Sequence, residues 1–239
     1  MMYQIKHGNC LEEMKSIPDG SINLIATDPP YAIMTNKQSV WRSGMKPINR
    51  FEEWDNMTNA QYYRLMYEFG KETFRLATET ATIYIFCACE IFMLVRMALE
   101  KAGWYYRMPN YWHKTNPAPV WNGRRPQASV ETICMATRTK KNTWNVQNGG
   151  LCHNLFEYPI VSSSIRIHPS QKPVNLMGEL ILRSSNPGDT VLDPFMGSAS
   201  TGVAALQNGR KFIGIEKNDD YFASAKKRLG ETMVQPQLV

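Results

Sequence analysis

Residues 190–216 read TVLDPFMGSASTGVAALQNGRKFIGIE. The apolar run Thr190–Asp193 has strand character, and the small-residue turn after it opens a helical segment, Ala199–Asn208. A second apolar run, Lys211–Glu216, follows at once and ends on an acid. Strand, helix and strand in so short a span are the pattern of a parallel crossover. Working outward, Pro173–Ser184 and Asp219–Leu229 have helical periodicity on either side. The alternation continues toward the N-terminus, with strands at Tyr3–Lys6, Ile22–Thr27 and Thr82–Cys87 and helices at Leu11–Ile17, Ala60–Thr78 and Glu90–Lys101. Gly103 is placed to cap the last of these. Between Trp104 and His168 the pattern weakens, and only Glu131–Ala136 reads as a clear strand. The expectation is an α/β fold of about seven strands, mainly parallel, with helices on both faces.

Composition bounds the function. The chain has 239 residues, 43% hydrophobic and 20% charged, enough for one globular domain with a sizeable core. Lys and Arg number 27 against 21 Asp and Glu, a formal charge of +6 that suits an anionic partner without proving one. The N-terminal residues MMYQIKHGNC carry no apolar run and do not read as a signal peptide. Glu90 and Arg96 break the most apolar stretch, Ala81–Leu99, so no membrane span is expected. Cys10, Cys87, Cys89, Cys134 and Cys152 show no Cys-x-x-Cys spacing; reduced thiols in a cytoplasmic protein, with no metal site, are the expectation.

In sheets of this kind, ligands bind beyond the carboxyl ends of the strands, near the switch in strand order. Two unusual loops lie at such ends. One is Asp28-Pro29-Pro30-Tyr31, after INLIAT. Its two prolines fix φ and remove two amide donors, which leaves carbonyl acceptors beside a carboxylate and an aromatic ring. Such a cluster suits a planar ligand with an amino group, which stacks on Tyr31 and donates its two N–H bonds to Asp28 and the Pro29 carbonyl. The other is DPFMGSAST, Asp193–Thr201, a small-residue turn whose helix N-terminus offers amide donors. Glu216, at the end of the next strand, stands where nucleotide-binding sheets hold ribose hydroxyls. A third cluster, His168-Pro-Ser-Gln-Lys-Pro173, sets Lys172 where it would neutralise a carboxylate on a bound cofactor.

IATDPPY, HPSQKP, PGDTVLDPFMGSAST and FIGIE, in that order, make the chain resemble the S-adenosylmethionine-dependent DNA amino-methyltransferases. The resemblance is to their permuted (beta) group, in which Asp-Pro-Pro-Tyr precedes the cofactor motif. It implies a seven-stranded, mostly parallel, Rossmann-like methyltransferase sheet with one reversed strand and circularly permuted motif order. It also implies S-adenosylmethionine as cofactor, with Asn9, Cys10, Asp28, Asp193, Phe195, Gly197, Ser198, Ser200, Thr201 and Glu216 at its site. Ser170 and Lys172 would hold its methionine end, and Asp28, Pro29, Pro30 and Tyr31 would hold the target base. Two residues depart from the family pattern. Ala199 stands where the family usually has glycine, which costs clearance and the left-handed conformation, and Asn9 stands where an acid is often found.

The implied reaction is methylation of the exocyclic amine of adenine in DNA, on a base flipped out of the stack. Adenine is preferred over the cytosine amine because cytosine-methylating relatives usually carry serine at the place of Asp28. Methylation at carbon 5 of cytosine is disfavoured, since the chain has no Pro-Cys pair. Rival readings are an enzyme acting on RNA or on a protein glutamine amide, a nucleic-acid-binding relative with impaired catalysis, and a dinucleotide dehydrogenase. The last lacks its Gly-x-Gly-x-x-Gly turn. The expected partner is double-stranded DNA, with a homodimer possible. DNA contacts are expected from a loop at about 32–58 (Lys37, Trp41, Arg42, Lys46, Arg50) and from a small target-recognition insertion at about 110–167 (Lys114, Arg124, Arg125, Arg138, Lys140, Lys141). The whole, 1–239, is expected to form one domain.

Overall fold

A computed structural model describes residues 2–30, 57–120, 124–145, 152–168 and 170–234. Among these residues, eight strands form one sheet: β1 (Tyr3–His7), β2 (Ile22–Thr27), β3 (Ala77–Cys87), β4 (Tyr105–Lys114), β5 (Val130–Thr137), β6 (Leu155–Tyr158), β7 (Thr190–Asp193) and β8 (Lys211–Glu216). Their spatial order is β1-β8-β7-β2-β3-β5-β4-β6. All neighbours run parallel except at β5, which is antiparallel to both β3 and β4. The order reverses between β7 and β2, so the two loops singled out in the sequence flank the switch point.

Among the described residues, six α-helices cover the sheet: α1 (Cys10–Met14), α2 (Asn59–Leu76), α3 (Phe92–Lys101), α4 (Val174–Ser184), α5 (Ser200–Gln207) and α6 (Asp219–Val234). Successive residues of a strand point to opposite faces, and the central strands are apolar at both parities. Ile25, Ile83 and Ile85 therefore join Met14, Met66, Phe69, Val95 and Leu99 in one core, beneath α1, α2 and α3. Leu24, Ala26, Tyr84 and Phe86 join Leu176, Leu180, Ala204 and Leu229 in the other, beneath α4, α5 and α6. Two local features fix the elements around the site. A Cβ on Gly202 would lie 2.6 Å from the Phe212 ring, so only glycine lets α5 settle onto β8. Thr58 caps α2 with a reciprocal box, its hydroxyl accepting from the Gln61 N–H while Gln61 Oε1 accepts from the Thr58 N–H.

The fold class stands, with two corrections. The sheet has eight strands because Leu155–Tyr158 adds an edge strand beside β4. The stretch 110–167 is not an appended insertion: the second half of β4, all of β5 and all of β6 lie within it. Among the described residues, 115–120, 124–129 and 159–168 adjoin strand ends at the carboxyl edge.

Candidate active site

β2 and β7 are neighbours, with Leu24 opposite Val191 and Ile25 opposite Leu192, so the chain leaves both strands at adjacent points. A buried staple locks the two exits together. Thr27 Oγ1 donates to Asp193 Oδ1 at 2.7 Å, Thr201 Oγ1 donates to Asp193 Oδ2 at 2.6 Å, and the Phe195 N–H donates to Oδ1 at 3.2 Å. Burial pushes the Asp193 carboxyl up to about 6, against the pull of these bonds, with the charge of Asp28 adding to the rise. Asp193 and Thr201 thus join β2, β7 and α5.

The turn that follows carries the open groups. Phe195 and Gly197 are half-buried, between buried Met196 and buried Ser198. Gly197 has φ +46, and a Cβ there would meet the His168 ring at 3.5 Å. Its N–H donates to Glu216 Oε2 at 2.9 Å, and the Asn218 N–H donates to Oε1 at 2.8 Å. The Glu216 carboxylate is therefore aimed by two backbone amides at the carboxyl end of β8. Each of its oxygens has more than one lone pair, so it is placed to accept ribose hydroxyls as well. Ser198 and Ser200 are buried, and Arg228 on α6 pins that part of the turn by donating to the Ser198 carbonyl at 2.8 Å and to Ser200 Oγ at 3.3 Å. Ala199 adopts the left-handed conformation, φ 57 and ψ 34, so the alanine did not forfeit it. Asn9 lies beyond β1, the neighbour of β8, and its Oδ1 accepts from the Leu11 N–H at 2.9 Å. Cys10 turns into the core, where burial pushes its thiol up to about 12.

Asp28 extends from β2 into this cleft, followed by buried Pro29 and half-buried Pro30. Tyr31 lies outside the described residues, as do Lys37, Trp41, Arg42, Lys46 and Arg50. Lys172 Nζ sits 2.6 Å from Asp28 Oδ2 and 2.8 Å from Glu131 Oε1 on β5. Burial works against the ammonium, but the charges and hydrogen bonds of Asp28 and Glu131 outweigh it, and Lys172 holds its proton more tightly than an ordinary lysine. Lys172 is thus the counter-ion of Asp28 and Glu131. Ser170 is exposed, and its N–H donates to His168 Nδ1 at 3.1 Å. The His168 ring packs edge-on against Tyr221, 4.2 Å between centroids. Burial, then the charges of Lys172 and Arg166, lowers its pKa to about 4, so it is a neutral wall of the cleft at physiological pH.

The DNA methylase family model matches residues 22–227, which takes in both loops, the Lys172 cluster and Glu216. This chain belongs to the DNA methylase family. Type II methyltransferase M.HinfI of Haemophilus influenzae is 30% identical over 97% of this methylase and 69% of its own length. Type II methyltransferase M2.DpnII of Streptococcus pneumoniae is 31% identical over 93% of this chain and 88% of its own. Among solved structures, the complex of M1.HpyAVI with SAM superposes with a TM-score of 0.75 at 28% identity, covering 95% of this chain and 99% of that one.

Around the methylase site, the sequence-predicted basic residues divide. Lys114 ends β4 at the carboxyl edge but pairs with Glu131 at 3.0 Å. Arg124 and Arg125 are exposed on the connection into β5, at the same edge. Arg138, Lys140 and Lys141 follow β5, and because β5 is reversed they emerge at the opposite edge, where the Arg138 N–H donates to the Ala81 carbonyl. Arg138 stacks on Phe74 and shares a surface hollow with Asp19 and Arg75. These three are corrected: they face away from the site. Sequence reading also passed over Glu131, Arg228 and Tyr62. A charged residue at the head of the apolar strand VETICMAT was the available signal for Glu131. For Tyr62, whose buried hydroxyl has no hydrogen-bond partner among the described residues, helical periodicity showed only the core. No group of three or more metal-ligating side chains occurs among the described residues, and no helix there is long and apolar enough to cross a membrane.

Proposed function

We propose that the protein methylates the exocyclic amino nitrogen of adenine in double-stranded DNA, with S-adenosylmethionine as methyl donor. The observation that carries the reading is the meeting of two acceptor sets at one switch point: Asp28 with the Pro29 carbonyl, and Glu216 beside the Gly197 turn. The donor set fits a nucleoside-bearing cofactor, since the aimed carboxylate suits ribose hydroxyls and the half-open Phe195 suits an adjoining apolar or ring surface. When bound, the sulfonium supplies the methyl group. Asn9 and Glu216 would lie toward its nucleoside, and Ser170 and the Gly197 turn toward its methionine end.

The chain's own work is done on the amine. Its lone pair is delocalised into the base ring and is a poor nucleophile. Asp28 and the Pro29 carbonyl, accepting one N–H each, favour a pyramidal nitrogen whose lone pair is localised and directed. Rigid prolines hold both acceptors in place before the base arrives, which is positioning and electrostatic preorganisation rather than covalent catalysis. The base must leave its stack to reach them, and stacking on Tyr31 would offset part of that cost. The exposed Arg124 and Arg125 and the basic loop after Tyr31 are the proposed phosphate contacts.

The family model spans both N6 and N4 amino methylation, and cytosine presents the same pair of N–H donors. Aspartate at position 28, where cytosine-modifying relatives usually carry serine, favours adenine. Incubating the purified protein with mixed-sequence DNA and methyl-labelled S-adenosylmethionine, then analysing nucleosides by mass spectrometry, decides the matter. N6-methyladenine is the expected product, and N4-methylcytosine alone would overturn the assignment. Asp28→Ala should lower the rate by at least about 100-fold, a loss of roughly 3 kcal/mol in transition-state stabilisation, with unchanged far-UV dichroism.

A further inference from the structure

Four charged side chains from four separate parts of the fold meet beside the catalytic carboxylate. Asp28 comes from the exit of β2, Lys172 from the connection before α4, Glu131 from the head of β5 and Lys114 from the end of β4. They form a chain of alternating sign: Asp28 Oδ2 to Lys172 Nζ at 2.6 Å, Lys172 Nζ to Glu131 Oε1 at 2.8 Å, and Glu131 Oε2 to Lys114 Nζ at 3.0 Å. Lys172 and Glu131 are the buried middle members, with side chains 9% and 10% exposed, while the outer two retain about twice that exposure. The Phe86 ring lies 5.0 Å from Lys172 Nζ, and the Trp112 ring lies 5.9 Å from Lys172 Nζ and 5.1 Å from Lys114 Nζ.

Ion pairs taken out of water give little net stability, since desolvation consumes most of the attraction. Stability is therefore a weak reason for such a chain to exist here. Orientation is a stronger one. A lone lysine, on a flexible four-carbon stem, would close onto Asp28 and engage whichever oxygens it could reach. Those are the oxygens an amine must use. With Glu131 on its far side, the ammonium is held between two carboxylates and its donors are divided between them.

We propose that Glu131 is a positioning residue for the methyl-transfer site. Acting through Lys172, it draws off part of the ammonium's charge and hydrogen bonding so that Asp28 remains an acceptor for the target amine. Lys114 pairs with the other oxygen of Glu131 at the outer end. Resting on the amino-methyltransferase reading above, this assigns Glu131 no contact with base or cofactor.

Single-turnover methyl transfer at saturating DNA and S-adenosylmethionine tests it, together with KM for both and the melting temperature. Glu131→Gln should slow the single-turnover rate by about 10- to 100-fold, with both KM values within about threefold of wild type. Lys172→Met should slow it at least as much, because Asp28 and Glu131 then lose the cation that holds both carboxylates in place. The double variant should be no slower than Lys172→Met alone, because Glu131 acts only through that lysine. Glu131→Asp keeps the charge and should recover to within about fivefold of wild type. It also serves if the glutamine variant does not fold, its rate then being compared with Lys172→Met. A Glu131→Gln rate within twofold of wild type, multiplied losses in the double variant, or an aspartate variant as slow as Lys172→Met would each overturn the proposal. Wild type is assayed first. If it transfers no methyl to an amine, the functional reading falls and this inference with it; if it does and the variants behave otherwise, only the inference falls.

Discussion

Ala199 is the one described non-glycine residue with positive φ, and it is fully buried at the entrance to α5. The left-handed conformation costs an L-residue about 1–2 kcal/mol. Glycine would relieve that, but it would also remove a buried methyl worth about 0.8 kcal/mol and loosen the unfolded chain by several tenths more. The terms nearly cancel, so Ala199→Gly should leave the urea midpoint almost unmoved, with stability within about 1 kcal/mol of wild type. Ala199→Val has no such balance: a β-branched side chain at this φ is strained, its added methyls enter a fully buried position, and it should cost about 2–3 kcal/mol. A valine variant as stable as wild type would show that the turn relaxes freely. At this scale the sequence was most legible where a residue's chemistry is local. Asp28, Phe195, Gly197 and Glu216 stand out because prolines, a helix start or a strand end surround them. The pairing of Lys172 with Glu131 was opaque because they lie about 40 residues apart and only the fold brings them together.

Asp193 works at the scale of elements, since its two oxygens tie β2, β7 and α5. Its carboxyl, raised by burial from 3.8 to about 6, binds a proton more readily in the folded chain than in the unfolded one. Its contribution to stability is therefore fully present below pH 3.8 and is lost as pH rises through 6. The span is worth about 3 kcal/mol. Asp193→Asn does not titrate, so the stability gap between wild type and variant should move in the variant's favour by that amount between about pH 4 and pH 7. Parallel curves in urea melts would sink the assignment. Element boundaries show where local signals fail. β2, β7 and β8 were readable as short apolar runs closed by acids or prolines. β4 was not, because Tyr105–Lys114 is interrupted by Arg107, Pro109 and Asn110 and several of its residues remain open to solvent. The helix expected at 60–78 overran because α2 passes directly into β3 at Ala77, with no glycine or proline to mark the change.

Across the whole molecule, the direction of one strand decides which basic residues can meet DNA. Arg124 and Arg125 precede β5, whereas Lys140 and Lys141 follow it, and eight residues of extended chain separate the two groups by about 25 Å. A strand's two ends lie on opposite edges of its sheet, so a single face cannot gather both groups. The sequence shows the strand but not its direction. Pairing of β5 against β3, Thr132 opposite Cys87 and Thr137 opposite Thr82, places its head at the catalytic edge. Removing one cation that neutralises a phosphate should reduce the slope of log affinity against log salt by about 0.9. Arg124→Ala with Arg125→Ala should therefore weaken duplex binding at low salt and flatten that slope by about 1–2, as measured by fluorescence anisotropy from low to moderate salt. Lys140→Ala with Lys141→Ala removes the same charge from the other edge and should leave the slope within about 0.5 of wild type. Equal flattening by both pairs would mean that net charge, and not the orientation of β5, governs how this protein meets DNA.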